Sequence, residues 1–311
     1  DGTKASIHHD YSRAQQAARA IEQRFGLERL ESRTTDMGMR GERPGEREVA
    51  ARRGDGTPAS IRLERTVRGV AASSLDEGEF VRRLNQAGVI VRPRFVSGRD
   101  DVVAGYSVAL RPRPGEPIVW YGGGRLARDL TLPRLRMGWP DTAEGAQAAV
   151  DEWRATWGNP MRYRPVWPGR EQQEPGADVW REYTDEIRRL RESLSAVDPS
   201  DRAAWAHAAR DASGALAAWS QRVEPTPGPL AAASRTLART AQQRSRDARP
   251  RAATSTAMHS VAGMARVLAV ASTGANASMA EAMLFRELIR LVGTVHRMHD
   301  TMKQVDAAKQ I

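Results

Sequence analysis

The spacing of hydrophobic and polar residues divides the chain into four stretches of different character. After Asp10, small and apolar residues recur at helical spacing as far as Phe25, and Gly26 follows where a helix commonly ends. Residues 32–58 have almost no large apolar side chain and cannot bury enough surface to offset the entropy of ordering. This second stretch is predicted to be a flexible linker.

Residues 59–140 have the pattern of a small α+β module. Apolar residues recur at helical spacing at its start, and Asp76 and Gly88 lie where the N-cap and the end of a second helix are expected. Runs rich in β-branched residues then predict three strands, the first two joined as a hairpin, at 89–96, 102–110 and 118–121. Pro93 confines the first strand to an edge or a strand end.

The rest of the chain is predicted to be mainly helical. Residues 141–177 contain one helical stretch and a connector rich in Pro, Gly and Trp, and residues 178–311 are rich in Ala with helical periodicity. Pro and Gly clusters separate the predicted helices, which span 178–197, 201–222, 229–246 and 254–309. The predicted fold class is therefore α+β, a small mixed module followed by antiparallel helices.

Composition excludes several classes of protein. The 311 residues include no cysteine, which rules out a disulfide scaffold and a Cys-based zinc module. No apolar stretch approaches the roughly 20 residues that span a bilayer, and no apolar signal segment stands at the start. We therefore expect a cytoplasmic protein without a membrane span.

The charge balance is basic, with 48 Lys and Arg against 38 Asp and Glu, a net charge of +10. Arginine supplies 45 of the basic residues, and a bias of that kind together with abundant Ala and Gly is typical of GC-rich coding. The excess is concentrated, however, because residues 88–136 contain nine Arg and four acidic residues. A basic surface of this kind fits a polyanionic partner such as DNA.

Arginines in this segment follow the period of the predicted strands. Arg92 and Arg94 share one face of the first strand, and two further Arg repeat the spacing at the end of the second. Guanidinium groups in rows can follow a phosphate backbone, helped by base stacking on Tyr106, Trp120 or Tyr121. The candidate DNA-binding residues are Arg92, Arg94, Arg111, Arg113, Arg125, Arg128 and Arg134. A solvated sheet face with aromatic residues in the core explains the same pattern equally well.

The sequence signals for a metal site or a phosphate-holding turn are weaker than those for the basic strand face. His8, His9 and Asp10 are adjacent but would point in different directions, and no convincing carboxylate accompanies His296 and His299 on one helix face. The glycines at 122–124 suggest a turn that holds a phosphate, but they match no dinucleotide or P-loop motif, and flexible glycines at a turn are the alternative. No metal ligand and no catalytic residue is assigned.

Two stretches of the chain carry a family resemblance. Residues 1–27 have an Asp-Gly turn, a short strand, an Asp-Tyr helix start and a helix that ends in Glu-x-x-Phe-Gly-Leu. The second stretch runs in order through Glu-Phe-Val-Arg-Arg-Leu-Asn-Gln-Ala-Gly-Val at 79–89, Gly-Tyr-Ser-Val-Ala-Leu at 105–110 and Trp-Tyr-Gly-Gly-Gly-Arg-Leu-Ala-Arg-Asp-Leu-Thr-Leu-Pro-Arg-Leu at 120–135. Together they resemble the relaxase/mobilisation nuclease proteins of actinobacterial conjugative elements.

The resemblance implies binding at an origin of transfer and nicking of one strand by a tyrosine, with a divalent metal held by three His in the intact enzyme. It identifies residues 1–31 as the end of a nuclease domain and 59–140 as the accessory module after it. The nucleophilic Tyr and the three-His motif have no counterpart, since the chain begins after them, and Tyr11 is a helix-start residue. We therefore expect no nicking and no cofactor for this chain, and whether it is an enzyme stays open.

Two functions follow as hypotheses. In the first, the chain is part of a conjugative relaxase that binds single-stranded or duplex DNA of the transfer origin. In the alternative, it is a non-catalytic module whose C-terminal helices dock the relaxosome to a coupling or secretion partner or to an auxiliary factor. That alternative would use an apolar stripe, for which the intramolecular core is the competing interpretation, at Leu284, Phe285, Leu288, Leu291 and Val295. A gene remnant without its own function is a third possibility.

Overall fold

A computed structural model describes residues 44–169, 171, 177–198, 201–241 and 279–308, together with five residues between 17 and 25. The chain divides into two compact units, Asp1–Gly38 and Met39–Ile311. In the first unit the described residues Ala17, Ala20, Ile21 and Arg24 are helical. The rest of the predicted nuclease remnant, including His8 and His9, lies outside the described residues.

The second unit is a helix-rich α+β structure, which confirms the predicted fold class at this coarse level. A turn of 3-10 helix covers Arg128–Leu130, and the strands are β1 (Val89–Phe95), β2 (Val103–Leu110) and β3 (Tyr121–Gly122). The helices are α1 (Pro44–Arg53), α2 (Ala59–Ser73), α3 (Glu77–Gln86), α4 (Gly123–Leu126), α5 (Leu132–Arg136), α6 (Ala143–Gly158), α7 (Ala177–Ser195), α8 (Arg202–Val223), α9 (Pro229–Thr240) and α10 (Met279–Ala308). None of these described helices is long and apolar enough to cross a membrane.

The three strands form one antiparallel sheet in the order β1-β2-β3, which confirms the predicted hairpin and places Pro93 on an edge strand. The predicted N-cap and C-terminal glycine are found at the two ends of α3, the helix before β1. The Asp76 carboxylate accepts a hydrogen bond from the Glu79 N–H at 2.7 Å, and Gly88 after α3 has a φ of +77°. The third strand is shorter than predicted, because only residues 121 and 122 pair with β2. The predicted strand residues 118–120 lie outside the ladder, and the chain joins the sheet only at Tyr121.

Part of the predicted linker is ordered, since residues 44–53 form α1. Pro44 stands at its start, where the missing N–H costs nothing, and the last turn carries Arg52 and Arg53. Only Ala50 is buried, so the apolar pattern gave no sign of this helix. Polar contacts hold it instead: the Glu46 carboxylate accepts a hydrogen bond from Ser60 Oγ and pairs with Arg125.

One hydrophobic core lies between the sheet and helices α2, α3 and α6. The largest side chains that are fully buried there are Leu63, Phe80, Leu84, Leu130, Leu132 and Trp153. Phe80 and Tyr106 pack edge to face with ring centroids 5.4 Å apart. This core leaves the opposite face of β1 for the candidate arginines.

A second core is built around α8, which contacts α2, α9 and α10, while α7 packs on α10. Alanines at 208, 209, 212 and 215 keep the surface of α8 narrow, so neighbouring helices approach closely. The stripe considered for docking belongs to this core: Leu284, Leu288 and Leu291 are fully buried, and Phe285 stacks on Trp219 at 3.9 Å. The intramolecular interpretation of that stripe is confirmed. The predicted helical residues 242–246 and 254–278 lie outside the described part of the chain.

Candidate nucleic-acid interface

The face of β1 that points away from the first core is apolar and buried at the start of the strand, and basic and exposed toward its end. Ile90, Arg92 and Arg94 alternate on this face, and they pair across to Ala109, Ser107 and Gly105 of β2. Ile90 and Ala109 are fully buried, whereas Arg92 and Arg94 are exposed. The two guanidinium groups therefore stand beside each other above small residues of β2, as the period of two predicts.

Arg92 is held by an aromatic ring. Its guanidinium carbon lies 4.4 Å from the ring centroid of Trp120, the residue immediately before β3. This distance is within the range of a cation–π contact, which fixes the orientation of both groups. Trp120 is partly exposed, so one side chain of the pair supplies a charge and the other a flat apolar surface at the same point.

Arg94 packs against a glycine of β2 instead of an aromatic ring. A Cβ built on Gly105 would lie 3.2 Å from a terminal nitrogen of Arg94, so the guanidinium lies close over this glycine. Within the described ranges, neither Arg92 nor Arg94 has a carboxylate within the 4.0 Å of an ion pair. The positive charge of both groups therefore remains available to an external anion.

The other candidate arginines fall into two groups. Arg111 and Arg134 have no ion pair with the described residues. Arg113 pairs with Asp55 at 3.0 Å, and Arg125 pairs with Glu46 at 3.4 Å while its guanidinium lies over Tyr121. Arg128 is exposed and makes contacts of its own. Of the seven candidates, Arg92 and Arg94 alone share one strand face.

The structure narrows the set of aromatic residues that could stack with bases. Tyr106 is 5% exposed, its hydroxyl donates to the Leu130 carbonyl at 2.7 Å, and burial raises its pKa above the ordinary value. Tyr121 is also buried, at 4% exposure. Both rings belong to the core, as the competing interpretation of the sequence held, and Trp120 is left as the accessible ring beside the arginines.

Among the glycines at 122–124, Gly123 is required by close packing. A Cβ on Gly123 would lie 2.2 Å from the Leu130 carbonyl oxygen and 2.7 Å from the Tyr106 ring, so a larger residue would collide with backbone. Its φ is not among the positive values of the chain. Close packing at the start of α4 therefore explains this residue, and neither a phosphate-holding turn nor flexibility is needed.

The structure groups no set of three His, Asp or Glu side chains as metal ligands among the residues it describes. His296 differs from the expectation from sequence, since its Nε2 lies 3.4 Å from the Asp300 carboxylate one turn later. The pair is exposed to solvent and has the geometry of an i,i+4 helix contact.

Sequence reasoning missed two basic residues that lie near the predicted arginines. Arg53 at the end of α1 and Arg62 on α2 come together with Arg111 and Arg113 around a cavity, although about fifty residues separate the two pairs in the chain. No local signal could have found them, because long-range folding creates the contact. Comparison of the chain with protein-family models, with curated proteins and with solved structures finds no match.

Proposed function

We propose that this chain binds DNA through the exposed face of β1, as the DNA-contacting part of a conjugative relaxase. One observation supports this function most directly: Arg92 and Arg94 project side by side without a carboxylate partner in the described residues, and Arg92 lies against Trp120. The relaxase assignment rests on the resemblance of residues 1–27 and 79–135. The docking alternative gains no support from the helical stripe, which is buried.

The geometry favours contact with a single strand or an unpaired segment. Guanidinium groups bind phosphate oxygens in a bidentate manner, and a neighbouring flat ring accepts a base of any sequence. Neighbouring strand positions on one face lie about 7 Å apart, which is close to the spacing of successive phosphates in an extended strand. Arg92 and Arg94 would thus contact adjacent phosphates while Trp120 stacks on a base.

The first test is a binding titration with full-length chain at several salt concentrations, using single-stranded and duplex oligonucleotides. Arg92→Gln and Arg94→Gln are each expected to weaken binding and to reduce the slope of log K against log salt by about one. Trp120→Leu should weaken single-strand binding by about tenfold and duplex binding less, because the loss is one of stacking.

Arg99→Gln is the matched control. Arg99 lies in the turn of the same hairpin and is exposed, but it is paired with Asp101 at 2.6 Å. The substitution removes the same charge from a site outside the strand face, so binding should change little. No saturable binding at low salt would refute DNA binding, and an equal loss in Arg99→Gln would refute the assigned face.

A further inference from the structure

A cavity of about 360 Å³ opens where β1 begins and β2 ends. It is separate from the exposed face that carries Arg92 and Arg94. Its charged lining comes from α1, from the turn after it, from α2 and from the loop after β2: Arg53, Asp55, Arg62, Arg111, Arg113 and Glu116. The volume lies at the lower end of the range of small-molecule sites.

The lining has two ion pairs and two further cations. Arg53 pairs with Glu116 at 2.8 Å, and Arg113 pairs with Asp55 at 3.0 Å. Arg62 and Arg111 have no carboxylate within 4.0 Å among the residues that the structure describes. Four guanidinium groups against two carboxylates give the lining a formal charge of +2.

Three turns that depend on glycine lie at or next to residues that line the cavity. Gly54, Gly88 and Gly115 have φ values of +69°, +77° and +81°, a region that other residues seldom adopt. These three turns bring the end of α1, the start of β1 and the loop after β2 to the same place. The Arg113 guanidinium also donates to the Arg53 carbonyl at 3.2 Å, so the two ion pairs are tied to each other.

We propose that this cavity binds a phosphate monoester group, with Arg62 and Arg111 as its main ligands. The paired arginines hold the walls, and the two others supply the uncompensated charge, which matches a dianion. A guanidinium fork fits phosphate oxygens better than a point charge does. The space beyond one phosphate is sufficient for an attached sugar or base. This inference stands independently of DNA binding on the strand face.

The experiment titrates the full chain with inorganic phosphate by calorimetry or by NMR at constant ionic strength. We expect saturable binding that weakens as the pH falls and the inorganic phosphate dianion is protonated to the monoanion. Arg62→Gln and Arg111→Gln should each weaken binding by about tenfold. Arg52→Gln, which removes a charge from an exposed position on α1 outside the cavity, should bind like the wild type.

Thermal unfolding of each variant shows whether it folds, and Arg111→Gln, in an exposed loop, tests the site even if Arg62→Gln does not fold. Absence of saturable binding, equal affinity for acetate, or unchanged affinity in a folded Arg111→Gln would overturn the proposal.

A second series identifies the source of the phosphate. It compares a nucleoside monophosphate with its unphosphorylated nucleoside, and oligonucleotides with and without a terminal phosphate. A preference for the phosphorylated form that is lost in Arg111→Gln supports the site, and the stronger of the two ligands names the source. Equal binding of phosphorylated and unphosphorylated forms would overturn it. Arg92→Gln should leave this preference intact, so failure of the strand face and failure of the cavity give different results.

Discussion

Asp129→Asn is expected to lower the free energy of unfolding by about 3 kcal/mol at neutral pH, because it leaves a buried cation with half of its partners. Arg68 on α2 is 3% exposed. Its guanidinium donates to both oxygens of Asp129 and to Glu64 at 3.2 Å. Glu64 is shared in turn with Arg235 of α9 at 3.3 Å, so it cannot compensate Arg68 fully after the substitution. The change keeps the shape of the side chain but removes its charge and replaces one of the two oxygens that accept from Arg68 with an amide donor.

The effect of this substitution should depend on pH in a defined direction. Burial acts to raise the pKa of Asp129, but the charge and hydrogen bonds of Arg68 outweigh it, and the pKa lies below its usual value. A carboxylate whose pKa is lower in the folded state contributes stability above its unfolded pKa, about 3.9, and loses it as the pH falls through the folded value. The difference between wild type and Asp129→Asn should therefore be constant from neutral pH to about pH 5 and shrink below about pH 4.

Urea unfolding at a series of pH values measures this difference. Asp185→Asn is the control, since Asp185 is an exposed residue of α7 paired with Arg188, and the loss of a surface pair of this kind costs about 0.5 kcal/mol or less. An Asp129→Asn variant as stable as the wild type at neutral pH would show that the cluster around Arg68 does not stabilise the fold.

Local signals in the sequence were sufficient to predict elements whose ends are set by a capping side chain or by a glycine turn. Asp76 and Gly88 delimit α3, and the β-branched runs on either side of the turn at Gly98 form the hairpin. Helix α1 was missed because it buries only Ala50 and is held by polar contacts to distant residues. Periodicity reports burial, so a helix without an apolar face leaves no periodic signal.

In the candidate sites, too, some features follow from the local sequence and others depend on contacts between distant residues. The shared face of Arg92 and Arg94 follows from the period of a strand and could be predicted. The contact of Arg62 with the cavity that Arg111 lines, and the burial of Arg68, depend on which elements meet in space. Charge counted along the chain cannot distinguish an arginine that forms part of a buried ion-pair cluster from one that is open to an anion. The distinction requires the partners that folding supplies.

The second large effect is expected where α2 crosses α8, which joins the two cores. A Cβ on Gly214 would lie 2.4 Å from the Cβ of Ala72, and a Cβ on Gly69 would lie 2.9 Å from the backbone nitrogen of Ala218. Carbon atoms in contact are separated by about 3.5 Å or more, so the helices would have to move apart. Such a separation would weaken hydrogen bonds across the crossing, among them Gln221 Nε2 to the Arg65 carbonyl at 3.1 Å.

Gly69→Ala and Gly214→Ala are therefore each expected to destabilise the chain by about 2 kcal/mol, the cost of overpacking less the gain in helix propensity. Gly293→Ala on α10 is the matched control: its nearest neighbour would be the end of the Arg297 side chain at 3.6 Å, so the same substitution should stabilise the chain by up to about 1 kcal/mol. Urea unfolding of the three variants measures the change in the free energy of unfolding, which should be a decrease for the first two variants and an increase for Gly293→Ala.

The double variant gives a stricter test of the crossing. Because one separation of α2 from α8 relieves both collisions, Gly69→Ala together with Gly214→Ala should cost less than the sum of the single changes. Strict additivity would mean that the two glycines act at independent contacts, and stabilisation by either single change would mean that the helices do not meet at this distance. A positive result would establish that the two glycines share one contact between α2 and α8, the crossing that joins the two cores.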